Sequence, residues 1–158
     1  MKFLIIEDDE YKKEKIVDCL KEKYFDFECK HVQSVSSALN ELELLDEEII
    51  VLLDMSLPTY DLNESNSGGR PQGFGGIEIL RNMDYFELVN RVIVITQYET
   101  IMFDNRPLDA NALKVELANE FPENFYDLVQ FNVTTDAWKS ELLDRLDKIQ
   151  HDKCNNHR

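Results

Sequence analysis

Acidic side chains that follow two apolar segments are the residues of this sequence best placed to do chemistry. Asp54 comes directly after five consecutive aliphatic residues, and the pair Glu7 and Asp8 follows a run of four apolar residues. A third apolar run ends at Thr96. Short runs of this kind are typical of strands buried on both faces of a parallel sheet. Open α/β sheets place their ligands outside the carboxyl ends of such strands, so these side chains are predicted to converge there.

Three carboxylates drawn together repel one another unless one takes up a proton or a cation joins them. Hard oxygen ligands without a neighbouring His or Cys suit Mg²⁺. A carboxylate beside such a metal can attack phosphorus and form an aspartyl-phosphate, and the Thr96 hydroxyl could hydrogen-bond a phosphoryl oxygen. The alternative is that the acidic residues have no chemical role and only lie in solvated loops where the strands end. The residue pattern by itself leaves both interpretations open.

Helical and strand patterns alternate along the chain, which predicts an α/β fold with a doubly wound five-stranded parallel sheet and helices on both sides. The last helix is predicted to start after Thr134 or Thr135 and to turn Trp138, Leu142, Leu146 and Ile149 inward. The remaining predicted helices span residues 11–20, 34–45, 77–83 and 109–121, and the predicted strands span residues 3–6, 25–30, 49–53, 92–96 and 127–131.

The length and charge of the chain indicate how many domains it forms and which binding partners are disfavoured. The 158 residues make one domain over residues 1–150, with an expanded loop at 59–74 and a polar, frayed tail at 151–158. A net charge of −15 argues against binding to nucleic acid or to an anionic membrane surface. The sequence shows neither a signal peptide nor an apolar stretch that could span a bilayer. A cytoplasmic location is therefore expected.

Four segments resemble response-regulator receiver domains, in the right order and over residues 2 to about 150. They are Phe-Leu-Ile-Ile-Glu-Asp-Asp at 3–9, Val-Leu-Leu-Asp-Met-Ser-Leu-Pro at 51–58, Gly-Gly-Ile-Glu-Ile-Leu-Arg at 75–81 and Val-Ile-Val-Ile-Thr at 92–96. The resemblance is to a divergent group of stand-alone bacterial receivers. It implies the flavodoxin-like strand order 2-1-3-4-5.

The resemblance assigns a role to each residue of the acidic set. It implies that Asp54 is the phosphoacceptor and that Thr96 is the switch hydroxyl. Glu7, Asp8 and Asp54 would hold Mg²⁺ together with the backbone carbonyl of Ser56, and Asp8 is the preferred direct ligand of the acid pair. No organic cofactor is implied. Such a domain is not an enzyme beyond its own phosphorylation and dephosphorylation.

Partners follow from the same resemblance. A histidine kinase or a phosphotransfer protein would donate the phosphoryl group, and a separate protein would receive the signal because no effector domain is expected. The domain could also act as a phosphate sink. The alternative is a pseudo-receiver that docks proteins without phosphorylation. A flavodoxin-type cofactor site and a haloacid-dehalogenase-type phosphatase are disfavoured, because residues 7–10 are acidic and position 56 is Ser.

The chain departs from the receiver pattern in three places, of which the first favours the pseudo-receiver, whereas the intact Glu7, Asp8, Asp54 and Thr96 favour the phosphorylated receiver. The usual Lys-Pro after the last strand is absent, since the expected register places Phe131 and Asn132 there, and Lys139 is a poor substitute. Gln97 replaces the usual small residue after the switch Thr. The segment between Thr96 and the last strand is long, and residues 97–106 are either a switch or an ordinary connection.

Overall fold

The computed structural model describes residues 1–63, 66–67, 71–72 and 75–156. Five helices lie within these ranges: α1 (Glu10–Lys23), α2 (Val35–Leu42), α3 (Gly75–Tyr85), α4 (Ala110–Glu120) and α5 (Ala137–Asn156). The strands of the main sheet are β1 (Lys2–Ile6), β2 (Glu28–Val32), β3 (Ile49–Leu53), β8 (Val92–Thr96) and β11 (Phe125–Gln130). The short strands are β4 (Leu57–Pro58), β5 (Leu62–Asn63), β6 (Asn66–Ser67), β7 (Pro71–Gln72), β9 (Thr100–Phe103) and β10 (Arg106–Asp109).

The main sheet has the order β2-β1-β3-β8-β11, and every neighbouring pair is parallel. This confirms the predicted doubly wound sheet and its 2-1-3-4-5 order. Ile6, the last residue of β1, pairs with Leu53, the last residue of β3. The residues that follow these two strands therefore emerge side by side at one edge of the sheet.

Both faces of the sheet are buried, as the apolar runs predicted. Alternate residues of β1 point to opposite faces, so Leu4 and Ile6 join one core while Phe3 and Ile5 join the other. The first core packs against α2, α3 and α4. The second packs against α1 and α5 and includes the predicted inward residues of α5, Trp138, Leu142, Leu146 and Ile149.

Several element boundaries differ from the sequence predictions, most clearly those of β2 and α5. The edge strand β2 spans Glu28–Val32 instead of residues 25–30, and Phe25 is fully exposed in the preceding turn. Helix α5 continues to Asn156, so residues 151–156 are helical instead of frayed. The alternation that predicted β2 began too early because the apolar residues before it lie in a turn.

The long segment after Thr96 forms a β-hairpin instead of an irregular connection. Strands β9 and β10 pair antiparallel, and the turn between them places Asp104 at φ 46° and Asn105 at φ 62°. Two consecutive positive φ values are typical of the turns that suit the twist of a hairpin, and Asn and Asp tolerate them. Ile101 and Phe103 are buried in the core while Met102 is exposed, so one face of the hairpin is anchored to the domain.

The predicted expanded loop at 59–74 lies partly outside the described residues. Within the described part the chain folds back on itself, since β4 pairs with β7 and β5 pairs with β6. Over the described ranges, none of the helices combines the length and the apolar character needed to cross a membrane.

The start of helix α3 packs directly on the chain that follows β3. A Cβ atom added at Gly76 would lie 2.7 Å from the carbonyl oxygen of Asp54 and 2.8 Å from the Cα atom of Met55. The Gly76 N–H also donates to the Met55 carbonyl at 3.0 Å. The backbone of the acidic edge therefore depends on a residue without a side chain at position 76.

Replacing Gly76 with Ala should lower the free energy of unfolding by about 1–3 kcal/mol, as expected for overpacking. Gly75→Ala is the matched comparison and should cost less, because its new Cβ atom would meet Leu57 and Val35 at 3.0 Å. Urea unfolding of both variants measures the difference. If helix propensity decided the outcome, both substitutions would stabilise the protein by about 1 kcal/mol, and the close approach would be refuted.

Candidate functional site

The acidic residues predicted to converge do so. Glu7, Asp8 and Asp54 each offer a carboxylate oxygen, and these oxygens lie within 4.8 Å of one another. Backbone hydrogen bonds fix the two strand ends, since the Asp54 N–H donates to the Ile6 carbonyl at 2.9 Å and the Glu7 N–H donates to the Val32 carbonyl at 3.0 Å. The cluster is therefore part of the sheet edge and not of a loose loop.

The three carboxylates differ in their exposure to solvent. Glu7 and Asp54 are only 2% and 4% exposed, whereas Asp8 is exposed. One oxygen of Glu7 accepts the backbone N–H of Asp9 at 3.0 Å, and this bond orients the carboxylate. Asp9 in turn caps helix α1 by accepting the Lys12 N–H at 3.1 Å. The cluster thus opens to solvent on the Asp8 side.

A buried lysine forms ion pairs with two of the three carboxylates in the cluster. Lys12 Nζ lies 2.6 Å from Oε2 of Glu7 and 3.0 Å from Oδ1 of Asp54, and it donates to the carbonyl oxygen of Ile95 at 2.7 Å. Its side chain is only 1% exposed. An ammonium has three N–H donors, so each one has an acceptor here. Lys12 therefore connects the ends of β1, β3 and β8.

Sequence reasoning missed Lys12 because it looked for a lysine after the last strand. Position 131 does follow that strand, and the Phe131 ring lies 6.0 Å from Lys12 Nζ and packs against Trp138. The signal that could have found Lys12 is its place on the buried stripe of α1, one turn before Ile16. A lysine on the apolar face of a helix next to an acidic strand end predicts a buried ion pair.

Burial and charge act against each other at this site. Burial alone would lower the pKa of Lys12, but the attraction of Asp54 and Glu7 outweighs burial and raises it, so the side chain stays charged. Burial, together with the neighbouring charge of Asp54, raises the pKa of Glu7 to about 8 in spite of Lys12. Burial also raises the pKa of Asp54, against the pull of Lys12.

Thr96 ends β8 beside this network and is fully buried. Its hydroxyl accepts the backbone N–H of Tyr98 at 3.2 Å, and its carbonyl accepts the N–H of Phe131 at 2.8 Å. The residue before it, Ile95, supplies the carbonyl that Lys12 binds. Ser56 lies two residues after Asp54 and is partly exposed, and Gln97 is exposed to solvent.

The donor set fits a hard divalent cation. Its ligand atoms are all carboxylate oxygens, as Mg²⁺ prefers. When all three carboxylates are ionised, the Lys12 ammonium compensates one of their charges and leaves two negative charges, which is the charge that a divalent cation would balance. The exposed Asp8 leaves a side open for the waters that Mg²⁺ retains.

Comparison with known proteins shows the same fold. The chain is 24% identical over 150 residues to the Detocs response regulatory protein DtcB of Enterobacter cloacae (strain JD6301), which covers 94% of this chain and 100% of that protein. It matches the receiver domain of the Francisella response regulator 1452 with a TM-score of 0.64 at 15% identity, over 96% of this chain and 98% of that one. No protein-family model matches the chain.

A further match concerns a metal-bound protein. The Mn²⁺-bound form of response regulator Rcp1 matches with a TM-score of 0.57 at 21% identity, over 88% of this chain and 87% of that chain. These similarities confirm the resemblance to response-regulator receiver domains, and the chain has the receiver fold.

The raised pKa of Glu7 predicts that the metal-free protein loses stability as the pH rises. With a chelator present, folded Glu7 keeps its proton up to about pH 8 while the unfolded chain loses it near 4.5. The free energy of unfolding should therefore fall across this window, by an amount on the order of 5 kcal/mol, and level off above it. Urea unfolding at several pH values measures the fall, and Glu7→Gln should flatten it. An equal fall in that variant would place its origin elsewhere.

Magnesium binding should depend on the one exposed carboxylate of the cluster. The single Trp138 packs on Phe131, which lies beside Lys12, so its fluorescence should respond when Mg²⁺ enters the cluster. Asp8→Ala should abolish that response because it removes the solvent-facing ligand. Glu10→Ala removes the same charge two residues away and should leave the titration unchanged. Equal titrations in the wild type and in Asp8→Ala would contradict the site.

Proposed function

We propose that the protein is a receiver that accepts a phosphoryl group on Asp54 in the presence of Mg²⁺. The observation that supports this function best is the convergence of Glu7, Asp8 and Asp54 at the ends of adjacent parallel strands. In this arrangement Asp54 is held by its backbone and by the hydrogen bond from Lys12 to Oδ1, and we assign the attack on phosphorus to its second carboxylate oxygen, Oδ2.

The reaction is an in-line transfer. Oδ2 of Asp54 attacks the phosphorus of the donor, an O–P bond forms, and the bond from phosphorus to the leaving group breaks with its electron pair on that group. The product is a mixed anhydride, which water can hydrolyse. Asp8 and Asp54, with the Ser56 carbonyl, would hold the Mg²⁺, which supplies charge neutralisation at the phosphoryl oxygens when bound.

The Thr96 hydroxyl is the proposed contact between the phosphoryl group and the rest of the fold. Its oxygen already accepts the Tyr98 N–H, and its hydrogen can be donated to a phosphoryl oxygen. The hairpin of β9 and β10 follows within a few residues, so a shift of Thr96 would be passed to this element. We therefore propose the hairpin as part of the surface that a downstream protein reads.

The partners proposed from this function are a histidine kinase or phosphotransfer protein as donor and a separate protein as receiver of the signal. Catalysis by the domain itself would be limited to its own phosphorylation and dephosphorylation. The net charge of −15 supports a protein partner over nucleic acid. A cytoplasmic location stays a prediction.

A pseudo-receiver is the second candidate, and the Lys12 ion pairs favour it. An ammonium that already satisfies Glu7 and Asp54 could stabilise the cluster without any phosphoryl group. In that case the domain would dock its partner in one fixed state. The two functions differ in whether Asp54 can be modified at all.

Incubation with acetyl phosphate and Mg²⁺ should add one phosphoryl group, detected by intact mass. Asp54→Asn should abolish the gain because the amide is not a nucleophile of comparable strength. Asp18→Asn is the matched control, since Asp18 is exposed on α1 outside the cluster. The gain should also disappear with a chelator. No gain in the wild type, with acetyl phosphate or a cognate kinase, would establish the pseudo-receiver instead.

A further inference from the structure

We infer that Lys12 is a catalytic residue of this site, which supplies from helix α1 the ammonium that neutralises a phosphoryl group on Asp54. The inference rests on the proposed function, because it assigns a role within the same reaction. Its main observation is geometric: the Lys12 ammonium lies 3.0 Å from the nucleophilic carboxylate and is shielded from solvent.

The position of the ammonium is fixed before any reaction takes place. Besides Asp54, it binds Oε2 of Glu7 at 2.6 Å and the Ile95 carbonyl at 2.7 Å, and these two acceptors belong to the flanking strands. The Phe131 ring lies 6.0 Å away and leaves little room for the side chain to move. A charge held in place in a buried site stabilises a developing charge without reorganisation of solvent.

The Lys12 N–H that binds Asp54 can change its acceptor when negative charge shifts from the carboxylate to the phosphoryl group. Before transfer, Oδ1 of Asp54 shares the negative charge of the carboxylate. After Oδ2 has bound phosphorus, Oδ1 is the carbonyl oxygen of a mixed anhydride and has no formal charge, while the phosphoryl oxygens are negative. The N–H that pointed at Oδ1 then has a stronger acceptor on the phosphoryl group. No proton is transferred, and Lys12 remains an ammonium.

A lysine at position 131 could place its ammonium in the same part of the site as the ammonium of Lys12. Phe131 directly follows β11 and is held there by the bond from its N–H to the Thr96 carbonyl. Because its ring reaches to 6.0 Å from Lys12 Nζ, a lysine at 131 would extend into the same space. The combination of Lys12→Met with Phe131→Lys therefore moves the charge from α1 to the end of β11.

The test compares the rates at which acetyl phosphate modifies the wild type and its variants, measured by intact mass with saturating Mg²⁺. Lys12→Met keeps the length of the side chain and removes the charge, and its rate should fall about 100-fold. Lys13→Met is the matched control, because Lys13 pairs with Glu10 on the surface of the same helix. Its rate should equal that of the wild type. The double variant with Phe131→Lys should regain much of the lost rate.

Magnesium affinity separates a catalytic role from a structural one. Removing a positive charge beside three carboxylates should tighten Mg²⁺ binding in Lys12→Met while phosphorylation slows. A collapsed site would lose both properties together. If Lys12→Met does not fold, the pair Glu7→Gln and Glu7→Gln/Lys12→Met serves instead, because Glu7→Gln removes the buried charge that would otherwise lack a partner.

The experiment gives different results for the failure of the Lys12 inference and for the failure of the proposed function. A rate in Lys12→Met within about threefold of the wild type would overturn the inference and leave phosphorylation of Asp54 intact. A faster rate would also overturn it, because Lys12 would then be a barrier to the donor. A wild type that takes up no phosphoryl group would overturn the proposed function itself.

Discussion

The buried ion pairs of Lys12 with Glu7 and Asp54 are the interaction on which this edge of the molecule depends. Two carboxylates at the ends of adjacent strands are almost entirely shielded from water, and burial without a partner is unfavourable for either charge. The ammonium between them offsets part of that penalty, and it also connects β8 to the same point through the Ile95 carbonyl. Removing one member of such a set is far more destabilising than the set is stabilising.

This arrangement holds the acidic cluster in place and leaves part of its negative charge uncompensated. If every carboxylate of the cluster had a positively charged partner within the protein, no negative charge would remain to attract a divalent cation. Instead Asp8 stays exposed, and when all three carboxylates are ionised the cluster carries two negative charges beyond the one that Lys12 compensates. The same residues can therefore hold their positions in the metal-free protein and attract a divalent cation from solution. The tight contact at Gly76 serves the same edge by holding the start of α3 against the backbone of Asp54.

The fold links the site to its surroundings through the end of β8. Ile95 binds Lys12, Thr96 accepts from Tyr98, and the Thr96 carbonyl accepts from Phe131. The Ile95 carbonyl thus connects this strand end to the acidic cluster. The Thr96 hydroxyl connects it to the segment before the hairpin, and the Thr96 carbonyl connects it to the segment that leads to α5. Ile101 and Phe103 anchor the hairpin that follows this edge, because its apolar face is packed in the core.

The sequence by itself determined the sheet and its acidic edge. Continuous apolar runs specify strands buried on both faces, and the alternation of strands with helices specifies a parallel sheet, so the order 2-1-3-4-5 and the meeting of Glu7, Asp8 and Asp54 followed from pattern and resemblance. Local patterns did not determine contacts between residues far apart in the chain. Lys12 is 42 residues from Asp54 and 83 from Ile95, and only the packing of α1 over the sheet brings them together. The hairpin after Thr96 and the exposed position of Phe25 were likewise decided by tertiary packing, because an alternation of only a few residues does not by itself decide where a strand begins.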